Sequence, residues 1–139
     1  MATRTSVYVE GFSHKNPIPA ACRLGNVVAS GIIYGLDLAT GKPADSLERQ
    51  CVLMFQHLRS TLERAGASLD DIVKLNVWMT DRSQRDAING EWLRMFPDPA
   101  TRPARQTMQG NLGPGILVQC DFLAVINAEE SAVARGDGA

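Results

Sequence analysis

The stretch DSLERQCVLMFQHLRSTLERAGASLDDIVKLNVWM, residues 45–79, decides the fold because a long amphipathic pattern is followed closely by an alternating one. Apolar residues at helical spacing predict a helix over 46–65. Asp45 is the expected N-cap with Glu48 as its capping-box partner, and Gly66 is expected to end the helix. A helix of this length between strands predicts a crossover connection within one sheet.

The second half of this stretch, IVKLNVWM (72–79), predicts a strand because its polarity alternates from residue to residue. One face is expected to carry Val73, Leu75, Val77 and Met79. The other face is expected to carry Lys74, Asn76 and Trp78. The helix and this strand therefore form one unit of a helix-covered sheet.

The rest of the chain supplies further strands and a second helix. Strands are predicted at 6–11, 26–35, 103–109 and 116–127, and a helix is predicted from Asp81 or Ser83 to about Phe96. The element order is β-β-α-β-α-β-β. This order predicts an α+β fold (a mixed α/β sandwich), in which one mixed sheet carries two helices packed on one face.

The chain has the length of one domain, with 139 residues. Residues 1–128 are expected to form that domain, and the small, polar segment 129–139 is expected to be a flexible tail. Two helices cover only one face of the sheet, so apolar side chains on the other face need a cover. A second copy of the chain is the simplest cover, which predicts a homo-oligomer with sites between subunits.

Composition excludes several classes of partner. The net charge is −1, so the sequence shows no basic footprint for nucleic acid or for an anionic membrane. The sequence has no run of about 18 apolar residues and no apolar signal segment at its start, and a cytoplasmic location is expected.

Metal and disulfide chemistry are not expected either. The chain has two histidines, His14 and His57, which are too few for a histidine-based metal site. Its cysteines, Cys22, Cys51 and Cys120, lack CxxC spacing and lie beside apolar neighbours. They are therefore interpreted as reduced thiols that pack as small hydrophobic side chains.

Arg105 is the most informative single residue, because it follows Pro103 and Ala104 at the start of a predicted buried strand. A charge in that position must be paired or must face a pocket. Its planar guanidinium suits a carboxylate. The sequence leaves two interpretations open, a salt bridge to an acid of the same chain or an anchor for an anionic ligand.

Other candidate residues carry weaker signals. Ser30-Gly31 lies inside an apolar strand, which indicates a bulge or the close approach of a ligand. Asn89 lies on the second helix, where a solvated asparagine is the simpler explanation. Gln119 and Asp121, two residues apart on the last strand, share one face. GNLGPG (110–115) lacks the lysine and helix of a phosphate loop and is interpreted as a turn.

Together these segments resemble the Rid family, also called YjgF, over about Asn16 to Ile126. The resemblance rests on the Asn89 position and on LGNVVASG (24–31), ATGKPAD (39–45), ERQCVLMFQHL (48–58), AGASLDDIVKLNVWMTD (65–81), RPAR (102–105) and LVQCDFLAV (117–125). It implies a chorismate-mutase-like fold assembled as a homotrimer with clefts between subunits. It also implies hydrolysis of reactive enamines and imines to 2-oxo acids and ammonia, without a cofactor.

The resemblance also implies roles for individual residues. Arg105 matches the arginine that binds the substrate carboxylate, and Thr107 matches a residue whose backbone carbonyl faces the substrate nitrogen. Ser30 and Gly31 match residues that line the cleft, and Asn89 matches an asparagine near it.

The last strand departs from the family pattern. The water-activating glutamate falls on Gln119, whose amide cannot accept a proton at neutral pH. Asp121 matches a second acid, about 7 Å further along the strand. The tyrosine expected before the first long strand is absent, and Tyr34 is a candidate to supply a phenol to the cleft or an ordinary strand residue.

The sequence therefore leaves two functional hypotheses. One is a hydrolytic deaminase of carboxylate-bearing imines with an altered preference, for instance for a larger unsaturated compound of the aminomuconate type. The other is a non-catalytic trimer that binds small carboxylates such as 2-oxo acids. A ribonuclease, an activity attached to the family, is disfavoured by the near-neutral charge.

Overall fold

A computed structural model describes residues 3–12 and 15–127. Within them the strands are β1 (Thr5–Val7), β2 (Ala21–Leu24), β3 (Val27–Ser30), β4 (Ile33–Tyr34), β5 (Leu36–Asp37), β6 (Lys42–Pro43), β7 (Ile72–Met79), β8 (Ala104–Gln109) and β9 (Val118–Val125). The α-helices are α1 (Leu47–Arg64) and α2 (Asp86–Met95). The predicted tail, 129–139, and the domain boundary at 128 lie outside the described residues.

One mixed sheet dominates the fold. Its strand order is β1-β2-β3-β9-β7-β8, and β4 also pairs with β9. The β7–β8 pair is parallel, whereas the pairs of β9 with β3, β4 and β7 are antiparallel. The α+β class, with one mixed sheet and two helices, is therefore confirmed.

The predicted element order is incomplete before α1. Residues 26–35 form two strands rather than one, and residues 6–11 contribute only the end of β1. The prediction also missed β2 and the small β5–β6 hairpin. These strands have two to four residues, too few for a pattern, and they are defined by pairing with distant strands rather than by local sequence.

Helix α1 has the predicted extent but a different N-cap. The Ser46 hydroxyl, not Asp45, caps it by accepting a hydrogen bond from the Arg49 backbone N–H at 3.2 Å. Gly66 follows the helix with a φ of 81°, as predicted for a glycine that ends a helix. The Ala67 N–H donates to the Leu62 carbonyl at 2.8 Å, which completes a Schellman motif.

The second helix starts later than predicted. Asp81 caps a short 3-10 turn, Arg82–Gln84, by accepting from the Ser83 N–H, and α2 begins only at Asp86 without a side-chain cap. Its end at Met95 agrees with the prediction.

The sheet has two faces with different surroundings. The helix face packs against α1 and α2 and carries the buried residues Leu75, Val77, Met79, Val118, Cys120 and Phe122. The open face carries Asn76, Trp78, Gln119, Asp121, Leu123 and Val125. The predicted alternation of β7 holds except at Val73, which is 50% exposed because the strand is bulged between Ile72 and Lys74.

The open face is apolar at one end. Val27 pairs in register with Val125, and these two side chains and Leu123 are each more than 40% exposed. This patch lies on the face that the sequence predicts to need a cover.

Candidate active site

Arg105 lies on β8, at the edge of the sheet, in register with Leu75. Its side chain extends over the helix face towards α2. One guanidinium nitrogen, Nη2, donates to Asn89 Oδ1 at 2.8 Å, and the guanidinium carbon lies 4.9 Å from the centre of the Trp92 ring. Two side chains of α2 therefore hold the guanidinium in a defined orientation.

The charge of Arg105 has no counter-ion in the described part of the chain, where the one ion pair joins Arg94 to Glu91. The second guanidinium nitrogen, Nη1, is buried and has no hydrogen-bond partner there. Burial, and next the positive charge of Arg85, lower the pKa of Arg105. Of the two interpretations left open by the sequence, this geometry favours a ligand anchor over an internal salt bridge.

Asn89 and Trp92 form the rest of this cluster. Asn89 was a candidate from the sequence, and its amide also donates to Asp86 Oδ1 at 3.4 Å. Trp92 was not among the candidate site residues from the sequence. Because residues three apart share a helix face, the spacing from Asn89 to Trp92 was the available signal for its contact with Arg105.

Gln119 and Asp121 share one face, as predicted, but that face is the open one. Gln119 is in register with Tyr34 on one side and Trp78 on the other. The Asp121 carboxylate accepts a hydrogen bond from Asn76 Nδ2 at 2.9 Å. In a single copy of the chain, Arg105 and Gln119 therefore extend from opposite faces of the sheet.

Ser30 and Gly31 lie at a bulge, as one of the two sequence interpretations has it. Between the pairs Ala29↔Leu123 and Ile33↔Cys120, the segment from β3 to β4 has three residues (30–32), whereas β9 has two (121–122). The Ser30 hydroxyl fills the resulting gap, because it accepts from the Phe122 N–H at 2.9 Å and donates to the Gly31 carbonyl at 2.9 Å.

Thr107 and Tyr34 occupy ordinary strand positions. Thr107 is half-buried and in register with Val77, on the same face as Arg105. The Tyr34 ring lies 5.5 Å from the Phe12 ring, which in turn lies 5.0 Å from the ring of His57 on α1. Tyr34 therefore has an aromatic contact within its own chain, and its place in a ligand cleft stays a prediction.

The described residues contain neither a candidate metal centre nor a candidate membrane span. Within residues 3–12 and 15–127, no three or more His, Cys, Asp or Glu side chains cluster in a way that could hold a metal ion. In the same ranges, no helix combines the length and apolar character needed to cross a membrane. The surface has a groove lined in part by Leu62 and Met95 and another lined in part by Asp37 and Arg49. Neither groove includes a predicted site residue.

The fold and the Arg105 cluster define a small α+β protein, in which edge strand β8 of a mixed sheet carries an arginine without a counter-ion among the described residues. Residues 14–126 match the model of the family described as Endoribonuclease L-PSP. The chain belongs to this family, which is also known as the Rid or YjgF family.

Curated relatives agree with this assignment. The Schizosaccharomyces pombe protein named "Protein mmf1, mitochondrial" is 29% identical over 136 residues, which cover 90% of this chain and 78% of that protein. A Salmonella typhimurium protein named 2-iminobutanoate/2-iminopropanoate deaminase is 26% identical over 104 residues, covering 73% of this chain and 81% of that protein.

Solved structures show the same fold. The crystal structure of RidA from an Antarctic Psychrobacter species superimposes with a TM-score of 0.80 at 26% identity, covering 88% of this chain and 99% of that one. The predicted YjgF-like fold is therefore confirmed.

Proposed function

We propose that this chain is a Rid-type deaminase, which hydrolyses carboxylate-bearing imines and enamines to 2-oxo acids and ammonia. The family membership and the deaminase name of the Salmonella relative support this reaction class. The observation that carries the proposal is the buried Nη1 of Arg105, which lacks a partner among the described residues. A substrate carboxylate is the group that would complete its hydrogen bonding.

Arg105 would act by positioning the substrate. Its guanidinium, already held by Asn89 and Trp92, would orient the carboxylate and offset its negative charge beside the imine carbon that water attacks. Water oxygen adds to the imine carbon while the π pair moves to nitrogen, and one proton of the added water passes to that nitrogen. The hydroxyl proton of the resulting carbinolamine then passes to nitrogen, and breakage of the C–N bond releases ammonia and the 2-oxo acid.

Proton transfer is where this chain would differ from its family. The amide of Gln119 can orient water but cannot take its proton. Asp121 is able to do so, although one of its oxygens already accepts from Asn76. A protonated imine is electrophilic enough to need little help from a base, so the proposed reaction does not depend on a glutamate at residue 119.

A site that uses both Arg105 and Gln119 would need more than one copy of the chain, because the two residues extend from opposite faces of the sheet. The exposed patch of Val27, Leu123 and Val125 supports a second copy on the open face. We therefore propose the homotrimer expected from the resemblance, with its sites between subunits. No cofactor is part of the proposed reaction.

The experiment is the release of ammonia and 2-oxo acid from enzymatically generated 2-iminopropanoate. Wild-type protein is expected to exceed the uncatalysed rate, and Arg105→Ala is expected to lose about 10- to 100-fold in kcat/KM, the range of a charged hydrogen bond. Arg94→Ala, which removes an exposed arginine elsewhere, is the matched control and should keep wild-type activity. A wild-type rate equal to background with small and with larger imines would contradict the proposal.

A second candidate function is a non-catalytic binder of small carboxylates such as 2-oxo acids. It is favoured by Gln119, which is not a base, and by Asp121, which is hydrogen-bonded to Asn76. It predicts that 2-oxobutanoate raises the Tm of wild-type protein but not of Arg105→Ala, while turnover stays at background.

The substrate type, the partners and the cellular location of this chain are proposals as well. A larger unsaturated imine of the aminomuconate type is our candidate for an altered substrate. The net charge of −1 leads us to propose no nucleic-acid partner, despite the family's description. The cytoplasmic location stays a prediction, and the names of two Schizosaccharomyces pombe relatives include the word mitochondrial.

A further inference from the structure

An aromatic ring supports one face of the Arg105 guanidinium. The guanidinium carbon lies 4.9 Å from the centre of the Trp92 ring, and Trp92 is only 9% exposed. The hydrogen bond from Nη2 to Asn89 Oδ1 fixes one point of the guanidinium but leaves it free to turn about that bond. Contact with the ring removes this freedom, because a cation is attracted to the electron-rich face of an indole. The ring therefore helps to set the direction of Nη1.

Trp92 is in turn held by the segment between α2 and β8. The rings of Trp92 and Phe96 pack edge to face, with their centres 4.9 Å apart and their planes at 61°. Phe96 is buried, and Arg102 ties its backbone to the start of β8. Arg102 Nε donates to the Phe96 carbonyl at 2.8 Å, and Nη2 donates to the Pro97 carbonyl at 3.3 Å. A continuous series of contacts thus joins Arg102 to Arg105 through two aromatic rings.

We infer that Trp92 is a positioning residue, whose ring fixes the plane of the Arg105 guanidinium before a ligand binds, and that Phe96 and Arg102 keep this ring in place. This inference rests on the proposed function and adds residues to the same site. An arginine that is already ordered loses less conformational freedom on binding, so its ligand binds more tightly. Because Trp92 acts through Arg105, it contributes to the binding of the carboxylate and not to proton transfer.

The test measures the Kd of 2-oxobutanoate by calorimetry, and KM and kcat with enzymatically generated 2-iminopropanoate. Trp92→Leu keeps an apolar side chain but removes the ring face. It is expected to raise Kd and KM by about three- to tenfold, the range of a partly desolvated cation–π contact. The kcat should change by less than about twofold, because binding alone is weakened. Trp92→Phe restores a ring face and should recover most of the affinity.

Arg102→Met tests the support of the ring. It keeps the aliphatic stem but removes both hydrogen bonds to the end of α2, so it should raise Kd and KM in the same direction as Trp92→Leu but by less. Arg94→Met, which removes an exposed arginine of α2 that is paired with Glu91, is the matched control and should leave both values unchanged.

Fluorescence gives a measurement that keeps Trp92 in place. The chain has two tryptophans, so in Trp78→Phe the tryptophan emission comes from Trp92. Bound 2-oxobutanoate is expected to shift this emission, because its carboxylate offsets the guanidinium charge that faces the indole. The shift should be absent when Arg105→Ala is added. This measurement and the comparison of Arg102→Met with Arg94→Met decide the matter if Trp92→Leu does not fold.

Binding separates this inference from the proposed function. If 2-iminopropanoate is not hydrolysed but Trp92→Leu weakens the binding of 2-oxobutanoate and Trp92→Phe restores it, hydrolysis fails and the role of Trp92 stands. If hydrolysis occurs but Trp92→Leu changes neither Kd nor KM, or the two Trp92 variants lose the same affinity, that role is overturned and hydrolysis stands. An emission that does not respond to bound 2-oxobutanoate also overturns the role of Trp92. Background turnover without binding overturns both.

Discussion

Arg105 brings a charge into a half-buried position, where Asn89 and Trp92 replace only part of the water it loses. The sequence could single out this residue, because an arginine entering a core strand needs an explanation. It could not show which neighbours hold it, since β8 and α2 come together only through the parallel pairing of β8 with β7.

Asn89→Asp tests the role of Arg105 at the residue scale. The near-isosteric carboxylate would form an ion pair with the guanidinium and compete with a bound carboxylate. We expect at least about tenfold weaker binding of 2-oxobutanoate at neutral pH, measured by calorimetry, with no loss of Tm. Asn111→Asp, at an exposed residue in the loop after β8, is a control for the added charge. Unchanged affinity in Asn89→Asp would show that the ligand does not bind at Arg105.

The Cys51 thiol predicts a pH dependence of stability. Burial, with smaller contributions from Glu48 and Glu91, raises the pKa of Cys51 from 9.0 to about 12. The unfolded chain therefore loses this proton first. The protonated Cys51 thiol makes its full contribution to the free energy of unfolding below pH 9. This contribution is lost as the pH rises towards 12.

Replacing Cys51 by serine should remove that contribution. Urea unfolding between pH 8 and about 10.5 should give a shallower fall in the free energy of unfolding for Cys51→Ser than for wild type, by up to about 1.4 kcal/mol per pH unit. Cys22→Ser, which changes a half-buried thiol, is the control. Parallel pH profiles for wild type and Cys51→Ser would show that Cys51 does not contribute to the pH dependence of stability.

At the scale of elements, α1 was the most predictable part, because its periodicity and Gly66 define it locally. The contacts of Gln50 were not predictable. Its buried amide donates to the carbonyls of Ala44 and Gly115 and accepts from the Leu117 N–H, joining α1 to the segment before β9. A glutamine in an amphipathic helix gives no signal of partners more than 60 residues away.

Gly35 is the contact point between α1 and the strands that precede it. A Cβ at residue 35 would lie 2.4 Å from the Gln50 carbonyl oxygen and 2.5 Å from its Cα. Because these are backbone atoms, relief requires α1 to move. We expect Gly35→Ala to lower the free energy of unfolding by about 3 kcal/mol or more, measured by urea denaturation.

Gly90→Ala is the matched control for this prediction. A Cβ at Gly90 meets nothing within 4 Å, and the residue lies inside α2. Alanine should therefore raise stability by up to about 1 kcal/mol through helix propensity. Equal effects of the two substitutions would show that α1 does not pack as closely on Gly35 as described.

At the scale of the whole molecule, the sequence correctly predicted one mixed sheet with two helices, and the face opposite the helices is apolar at one end. It did not predict that Arg105 and Gln119 lie on opposite faces. The pattern of one strand shows which of its residues share a face. Whether a residue of β8 lies on the same face of the sheet as a residue of β9 depends on how both strands pair with β7. This arrangement is the reason to propose a site shared between copies.

The proposed assembly predicts a change of mass. Leu123→Lys places a charge in the patch with Val27 and Val125, and it should shift a trimer towards monomer in size-exclusion chromatography with light scattering. Leu93→Lys, at another exposed leucine on α2, should not. If Leu123→Lys keeps the wild-type mass, this patch is not the subunit contact.

A crystal structure with bound 2-oxobutanoate tests the central claim most directly, because it shows what completes the hydrogen bonding of Arg105. We expect a carboxylate oxygen of the ligand within hydrogen-bond distance of Nη1, with the bond from Nη2 to Asn89 retained. An aspartate or glutamate of a second copy paired with Nη1, and the ligand bound elsewhere, would contradict the account.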